Sequence, residues 1–197
     1  MPIVEIDFTN VRPKPERLRF FICQFGIEAE YEFVCSNCAG DGLEVRSALL
    51  ITGGVLTKMI PITAYREVLV LSKDNARNLQ RETAFKTGET KHQQLSWTDL
   101  PLPSTTEAPW ILESAWRELV RLNAKQGNFY FHDGQKAVAG QISMHKPSIE
   151  MGSGTAKLEV ESAKRFAADL EYQSFRLQSL NVEMPVIGQL RLNRRDG

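Results

Sequence analysis

The chain has 197 residues, 42% of them apolar and 24% charged, and its 24 Lys and Arg balance 24 Asp and Glu to give a pI near 6.8. Such a composition excludes a disordered chain and a histone-like protein that grips nucleic acid by bulk charge. No apolar run approaches the roughly 18 residues of a membrane helix, the opening Met1-Pro2-Ile3-Val4-Glu5 is unlike a secretory signal, and three cysteines suit a reducing compartment better than a disulfide framework. The expectation is a cytoplasmic protein with no membrane association.

Val4, Ile6 and Phe8 alternate with Glu5 and Asp7, the period of a half-buried strand. Tyr31 to Cys35 reads as a second strand. Residues 48–52 and 55–60 flank Gly53-Gly54 and read as a β-hairpin, because paired glycines accept the positive φ of a tight turn. Val68 to Leu71 continues the β character. Residues 73–95 are polar and weakly patterned, and read as a frayed helix followed by a loop around Gly88. Prolines 101, 103 and 109 then forbid a continuous helix across 100–109.

Beyond this break Ile111, Leu112, Ala115, Trp116, Leu119 and Val120 form an apolar stripe of helical period, with Glu113 and Arg117 paired four residues apart and Gly127 as the stop. A helix over 109–125 follows. Asn128 to His132 reads as a strand turned by Asp133-Gly134, and residues 134–140 read as a hairpin rather than a phosphate loop. Lys146 to Gly154 is a further break. Leu158, Phe166, Leu170 and Phe175 place a second helix over 155–180, and Val186 to Leu192 reads as a last strand. The fold class expected is therefore α+β. A β-rich region, 1–100, with a partial zinc-knuckle element precedes a region, 101–197, of two main helices and short strands.

Charge is grouped along the chain. Arg12, Lys14, Arg17 and Arg19 face one acid, Glu16, while Glu28, Glu30, Glu32, Asp41 and Glu44 face no base. Lys58, Arg66, Lys73, Arg77, Arg81, Lys86 and Lys91 then outnumber Glu67, Asp74, Glu82 and Glu89. The segment 87–94 holds a Lys-His pair, and reads either as an exposed connector or as a loop whose Lys contacts phosphate and whose Gln reads a base edge.

Cys35-Ser36-Asn37-Cys38 leaves a strand and enters a glycine-containing turn, the shape of a zinc knuckle. Cys23 supplies the one further sulfur, so a zinc site would use Cys23, Cys35 and Cys38. Its fourth ligand would be Asp41, His92, His132, His145 or a group from another subunit. The other reading is a degenerate finger with reduced thiols. No nucleotide loop, nucleophile elbow or dinucleotide fingerprint is present, and the three histidines are too scattered for a metal set, so a non-enzymatic protein is expected.

The order Cys35-x-x-Cys38-Ala39, Arg46-Ser47-Ala48-Leu49 and Gly88-x-x-Lys91-His92 resembles the small zinc-finger subunit of type IV CRISPR effector complexes, over residues 20–95. Here the first knuckle is reduced to Cys23-x-x-Gly26, and one extra residue separates Gly88 from Lys91. The resemblance implies a non-catalytic subunit that contacts the crRNA 5′ end and helps recognise a DNA motif beside the target. Implied partners are crRNA, target double-stranded DNA, the other effector subunits and a DinG-family helicase. Nucleic-acid contacts are expected from Arg46, Lys58, Arg66, Lys86, Lys91, His92 and Gln93. The competing reading is a stand-alone plasmid- or phage-encoded zinc-finger module that binds a protein partner through the Trp110/Trp116 region.

Overall fold

The computed structural model describes residues 3–8, 12–24, 26–38, 42–72, 76–97, 102–133, 135–148, 150–161, 166–184 and 188–195. The first strands are β1 (Ile3–Glu5), β2 (Arg17–Gln24), β3 (Ile27–Cys38) and β4 (Gly42–Gly53). A 3-10 turn over Val55–Met59 leads to β5 (Ile62–Leu71), β6 (Arg77–Phe85) and β7 (Thr90–Trp97). A second 3-10 turn, Thr105–Glu107, opens the helix α1 (Ala108–Arg121). Then come β8 (Gln126–His132), β9 (Ala137–Ser148), β10 (Ser153–Val160), β11 (Phe166–Gln173), β12 (Arg176–Met184) and β13 (Gly188–Arg194). Two compact units result, one of Pro13–Pro101 with Arg194–Gly197, the other of Met1–Arg12 with Leu102–Asn193.

In the 13–101 unit β2 to β7 form an antiparallel meander in sequence order. Period-2 alternation puts Leu18, Phe20, Ile22, Phe33, Val45, Leu69 and Leu79 on one face, where all are buried. In the 102–193 unit β1 pairs parallel with β8, and β8 to β13 continue as an antiparallel meander. Ile142, Ala156, Leu158, Ala168, Leu170 and Tyr172 face inward there. Helix α1 covers part of that face with Ile111, Leu112, Ala115, Trp116 and Leu119.

The expected α+β class with two C-terminal helices is overturned: the chain is β-rich, with one α-helix among the described residues. The described residues of 155–180 form most of β10, all of β11 and the first part of β12 instead of a helix. Its apolar residues satisfy a helical spacing, but Ala156, Leu158 and Val160 also alternate strictly with Thr155, Lys157 and Glu159, and the sheet uses that period. Within 73–95, residues 73–75 lie outside the described residues, and the rest forms β6, a turn and β7, not a frayed helix. Gly88, at φ 85°, closes the β6–β7 turn while Phe85 N–H donates to Glu89 O at 2.9 Å.

Three glycines also act differently from expectation. Gly53-Gly54 makes no two-residue turn, since the chain passes through the Val55–Met59 turn before β5. Gly54 sits at φ 106°, and a Cβ there would lie 2.0 Å from Gly26 O. Gly54→Ala is therefore expected to lower unfolding free energy by roughly 1–3 kcal/mol, read by denaturant titration against Gly88→Ala, whose added Cβ would meet nothing within 4 Å. Gly127 does not stop the helix. Helix α1 ends at Arg121, followed by Leu122 and a left-handed Asn123 (φ 50°), whereas Gly127 lies in β8 where a Cβ would meet Ile6 and Leu119.

Among the described residues no helix is long and apolar enough to cross a membrane.

Candidate functional site

The Cys-x-x-Cys pair lies inside β3, in regular pairing from Cys35↔Val45 to Cys38↔Gly42. Three residues of strand put the two side chains on opposite faces; Cys35 is buried and Cys38 partly exposed. Cys23, on β2, is opposite Glu28, seven residues before Cys35 and so roughly 24 Å away at about 3.4 Å per residue. Sulfurs sharing a zinc ion stand about 4 Å from one another, because each bond is about 2.3 Å. The knuckle expected at Cys23, Cys35 and Cys38 is thus a plain stretch of sheet, and these three do not form a ligand set. Asp41 lies outside the described residues. Among those described, no cluster of three or more His, Cys, Asp or Glu side chains is placed to hold a metal.

The residues expected to touch nucleic acid are divided by the pleat. Arg46, Arg66 and His92 occupy one face of the meander, while Lys91 and Gln93 belong to the other. Lys58 lies in the Val55–Met59 turn, and Lys86 donates from Nζ to Thr57 O beside it. The charge groups of the sequence interleave across strands: one row runs Arg19, Glu32, Ala48, Arg66, Glu82, His92. Arg19 Nε is 2.9 Å from Glu32 and His92 Nδ1 3.7 Å from Glu82, and Arg46 is paired with Glu44 at 2.6 Å. Lys91 lies 5.3 Å from the Phe85 ring centre and 3.8 Å from Glu89. Among the described residues, Lys58 and Arg66 of the expected set have no ion-pair or side-chain hydrogen-bond partner. A continuous basic stripe is not what these strands assemble. His92 and Gln93 stand on β7 rather than on a loop, and neighbours on a strand cannot enter one groove together.

The other face of the 13–101 unit carries a polar cluster that the sequence reading missed. Glu67, 2% exposed, accepts from Tyr65 OH (2.7 Å), Arg81 Nε (2.8 Å) and Ser47 Oγ (3.3 Å). Burial, reinforced by the Glu67 charge, pushes the Tyr31 phenol up to about 12 and the Tyr65 phenol higher still. Burial opposes the charge on Arg81, but its bond to Glu67 outweighs this and holds the guanidinium protonated. In the other unit burial and then Glu113 raise the Tyr172 phenol well above its ordinary value. These phenols hold protons in the folded state that they release near pH 10 when unfolded. Their contribution is fully present below pH 10 and is lost as pH rises through the raised values. Urea midpoints are expected to fall between pH 9 and pH 11.5, and Tyr172→Phe is expected to flatten that fall.

A cavity of about 340 Å³ opens in the 102–193 unit. Its floor is sheet: Phe129 and Phe131 of β8, Val138 of β9, Leu158 and Val160 of β10, and Leu180 of β12. One wall is the first turns of α1, from Thr105 and Ala108 to Ile111 and Leu112. The wall is held in place locally. His132 N–H donates to Pro103 O at 2.8 Å, and Ser104 bridges to His132, so the start of α1 is tied to the end of β8. Ser104 then caps the turn, its Oγ accepting from Thr106 N–H (3.1 Å) while its own N–H donates to Glu107 (2.6 Å). Gly140 leaves room for the Phe129 ring, whose atoms would lie 2.7 Å from a Cβ there. Further along α1, Trp116 stacks on Tyr172 at 4.4 Å between ring centres. Around the cavity Phe131, Val160 and Leu180 are partly exposed.

The cavity lining has two polar side chains, Thr105 and Asp133. Asp133 Oδ1 accepts from the N–H groups of Gln135 (2.8 Å) and Lys136 (3.0 Å), the turn between β8 and β9. Burial works against its charge, but these bonds prevail and hold the carboxyl below its ordinary range. Burial also lowers the neighbouring His132. Alternation of Phe129 with Phe131 and of Leu158 with Val160 was the sequence signal for the floor. The helical reading of 155–180 concealed half of it. Trp110 and Trp116, expected to offer a partner surface, are 4% and 0% exposed and belong to the core.

No family model and no curated protein matches the chain. Among solved structures it is similar to a beta-barrel-like protein of domain of unknown function DUF1849 from Brucella abortus, at 9% identity and a TM-score of 0.56, over 94% of this chain and 98% of that one. At that identity the likeness is one of fold: this chain is β-rich in the manner of that beta-barrel-like protein.

Proposed function

We propose that the chain is a binding protein whose 102–193 unit takes the apolar body of a small ligand into the cavity between α1 and the β8–β12 face. One observation carries this reading: about 340 Å³ of space whose lining, Thr105 and Asp133 apart, is apolar. Protein interiors close-pack, and leave few voids larger than a water molecule. A recess of this size, at the small end of ligand sites, suits a small molecule. Burying an alkyl chain there is favourable by about 0.8 kcal/mol per methylene, or about 8 kcal/mol for a chain of about ten carbons before the cost of association is subtracted. No step of chemistry is assigned to the site.

The test is uptake of the neutral fluorophore N-phenyl-1-naphthylamine, with displacement by decan-1-ol. Leu180→Trp and Val160→Trp fill the mouth and are expected to reduce affinity at least tenfold with thermal midpoints unchanged. Equal binding by the wild type and both variants would overturn the reading.

A further inference from the structure

Resting on that reading, we infer that the cavity selects a single-chain amphiphile with a cationic head, an alkylammonium or quaternary ammonium compound, and that Asp133 is the residue that selects it. Asp133 is the one ionisable side chain among the described residues of the lining. Its carboxylate is fixed at the rim by the two backbone N–H groups of the β8–β9 turn, so it does not need to reorganise to meet a ligand. The other lining groups are hydrocarbon, save the Thr105 hydroxyl. An alkyl chain buried against Phe131, Val138 and Leu158 would carry its head to the rim, beside a charge in partly desolvated surroundings. There the interaction of unit charges is several times stronger than in bulk water.

Other charges nearby also act on the sign of the head. The N-terminal end of α1 adjoins the cavity and would by itself favour an anion. The Ser104 cap serves the turn ahead of the helix, at Thr106 N–H, and the Glu107 carboxylate, 1% exposed, lies in that turn next to the helix end. A second acid thus offsets the helix end. Lys136 and His132 attract the Asp133 carboxylate, but neither lines the cavity. A carboxylate-headed chain would bring a second anion to the rim and gain no partner there.

The test compares decylammonium, decan-1-ol and decanoate by calorimetric titration at pH 7.5 and low salt. Each is measured against the wild type, Asp133→Asn and Lys136→Met. Asparagine keeps the Oδ1 acceptor of the turn and removes only the charge. The wild type is expected to bind decylammonium at least tenfold tighter than decanoate, with decan-1-ol between them. Asp133→Asn is expected to abolish that preference and leave decan-1-ol unchanged, while Lys136→Met strengthens decylammonium. Binding of decan-1-ol without any preference for the amine, or a preference that survives Asp133→Asn, overturns the inference and leaves the cavity reading standing. Failure of all three compounds to bind overturns both.

Discussion

Trp116→Ala is expected to lower the unfolding free energy by about 3–5 kcal/mol, the range for removing a large buried aromatic. The indole is 0% exposed and stacks on Tyr172 with 4.4 Å between ring centres and 9° between planes. Its Nε1–H donates to Gly152 O at 3.1 Å, which ties α1 to the β9–β10 turn. Gly152 is left-handed (φ 59°) and carries the Phe175 ring where its own Cβ would be, so indole, turn and β11–β12 hairpin share one contact. The hairpin itself is strained, with Ser174 and Phe175 both at positive φ. Losing the indole therefore releases more than its own area. Trp116→Phe, which keeps a ring but not the N–H, is expected to cost about 1–3 kcal/mol. Chemical denaturation of the two variants checks the ordering, and equal small losses would show that the stack is not what holds α1 down.

Glu67→Ala is expected to cost a comparable 3–5 kcal/mol, because removing one partner of a buried ion pair strands the other. Arg81 would lose its contact at 2.7 Å while only partly exposed, and the Tyr65 hydroxyl and Ser47 Oγ would lose their acceptor. Glu67→Leu combined with Arg81→Leu is expected to be milder than Glu67→Ala alone, since no charge is left unpaired. A double-mutant cycle by urea denaturation reads this directly. Additive losses would mean that the pair is solvated and contributes little.

The strands legible in the sequence were those whose alternation had no competitor. Val4 and Ile6 beside Glu5, or Asn128 to His132 before Asp133-Gly134, admit one period only. The stripe from Ile111 to Leu119 gave α1 for the same reason, with Pro109 in its first turn, where a missing N–H costs nothing. Leu158, Phe166, Leu170 and Phe175 satisfy a helical spacing across what proved to be two strands and a hairpin turn, and only the Lys157 and Glu159 interleaving distinguished the two. Arg77, Arg81 and Glu82 of β6 are good helix formers, yet pairing with β5 and β7 overrides that preference. Cys-x-x-Cys is a knuckle only if the chain turns between the sulfurs. In an extended strand the same spacing separates them. The charge groups were visible, but their meaning depended on which strands would be neighbours. The cavity depended on something no local pattern contains: which side chains of α1 and of the β8–β12 strands come to line one recess.

The most direct measurement is a methyl-labelled NMR titration of the protein with decan-1-ol below its solubility limit. Binding between α1 and the sheet is expected to shift the methyl resonances of Ile111, Leu112, Val138, Leu158, Val160 and Leu180 saturably. Those of Leu18, Val45, Leu69 and Leu79 in the 13–101 unit are expected to stay in place. Shifts confined to that other core, or no saturable shift at the cavity methyls, would contradict a binding role for the cavity.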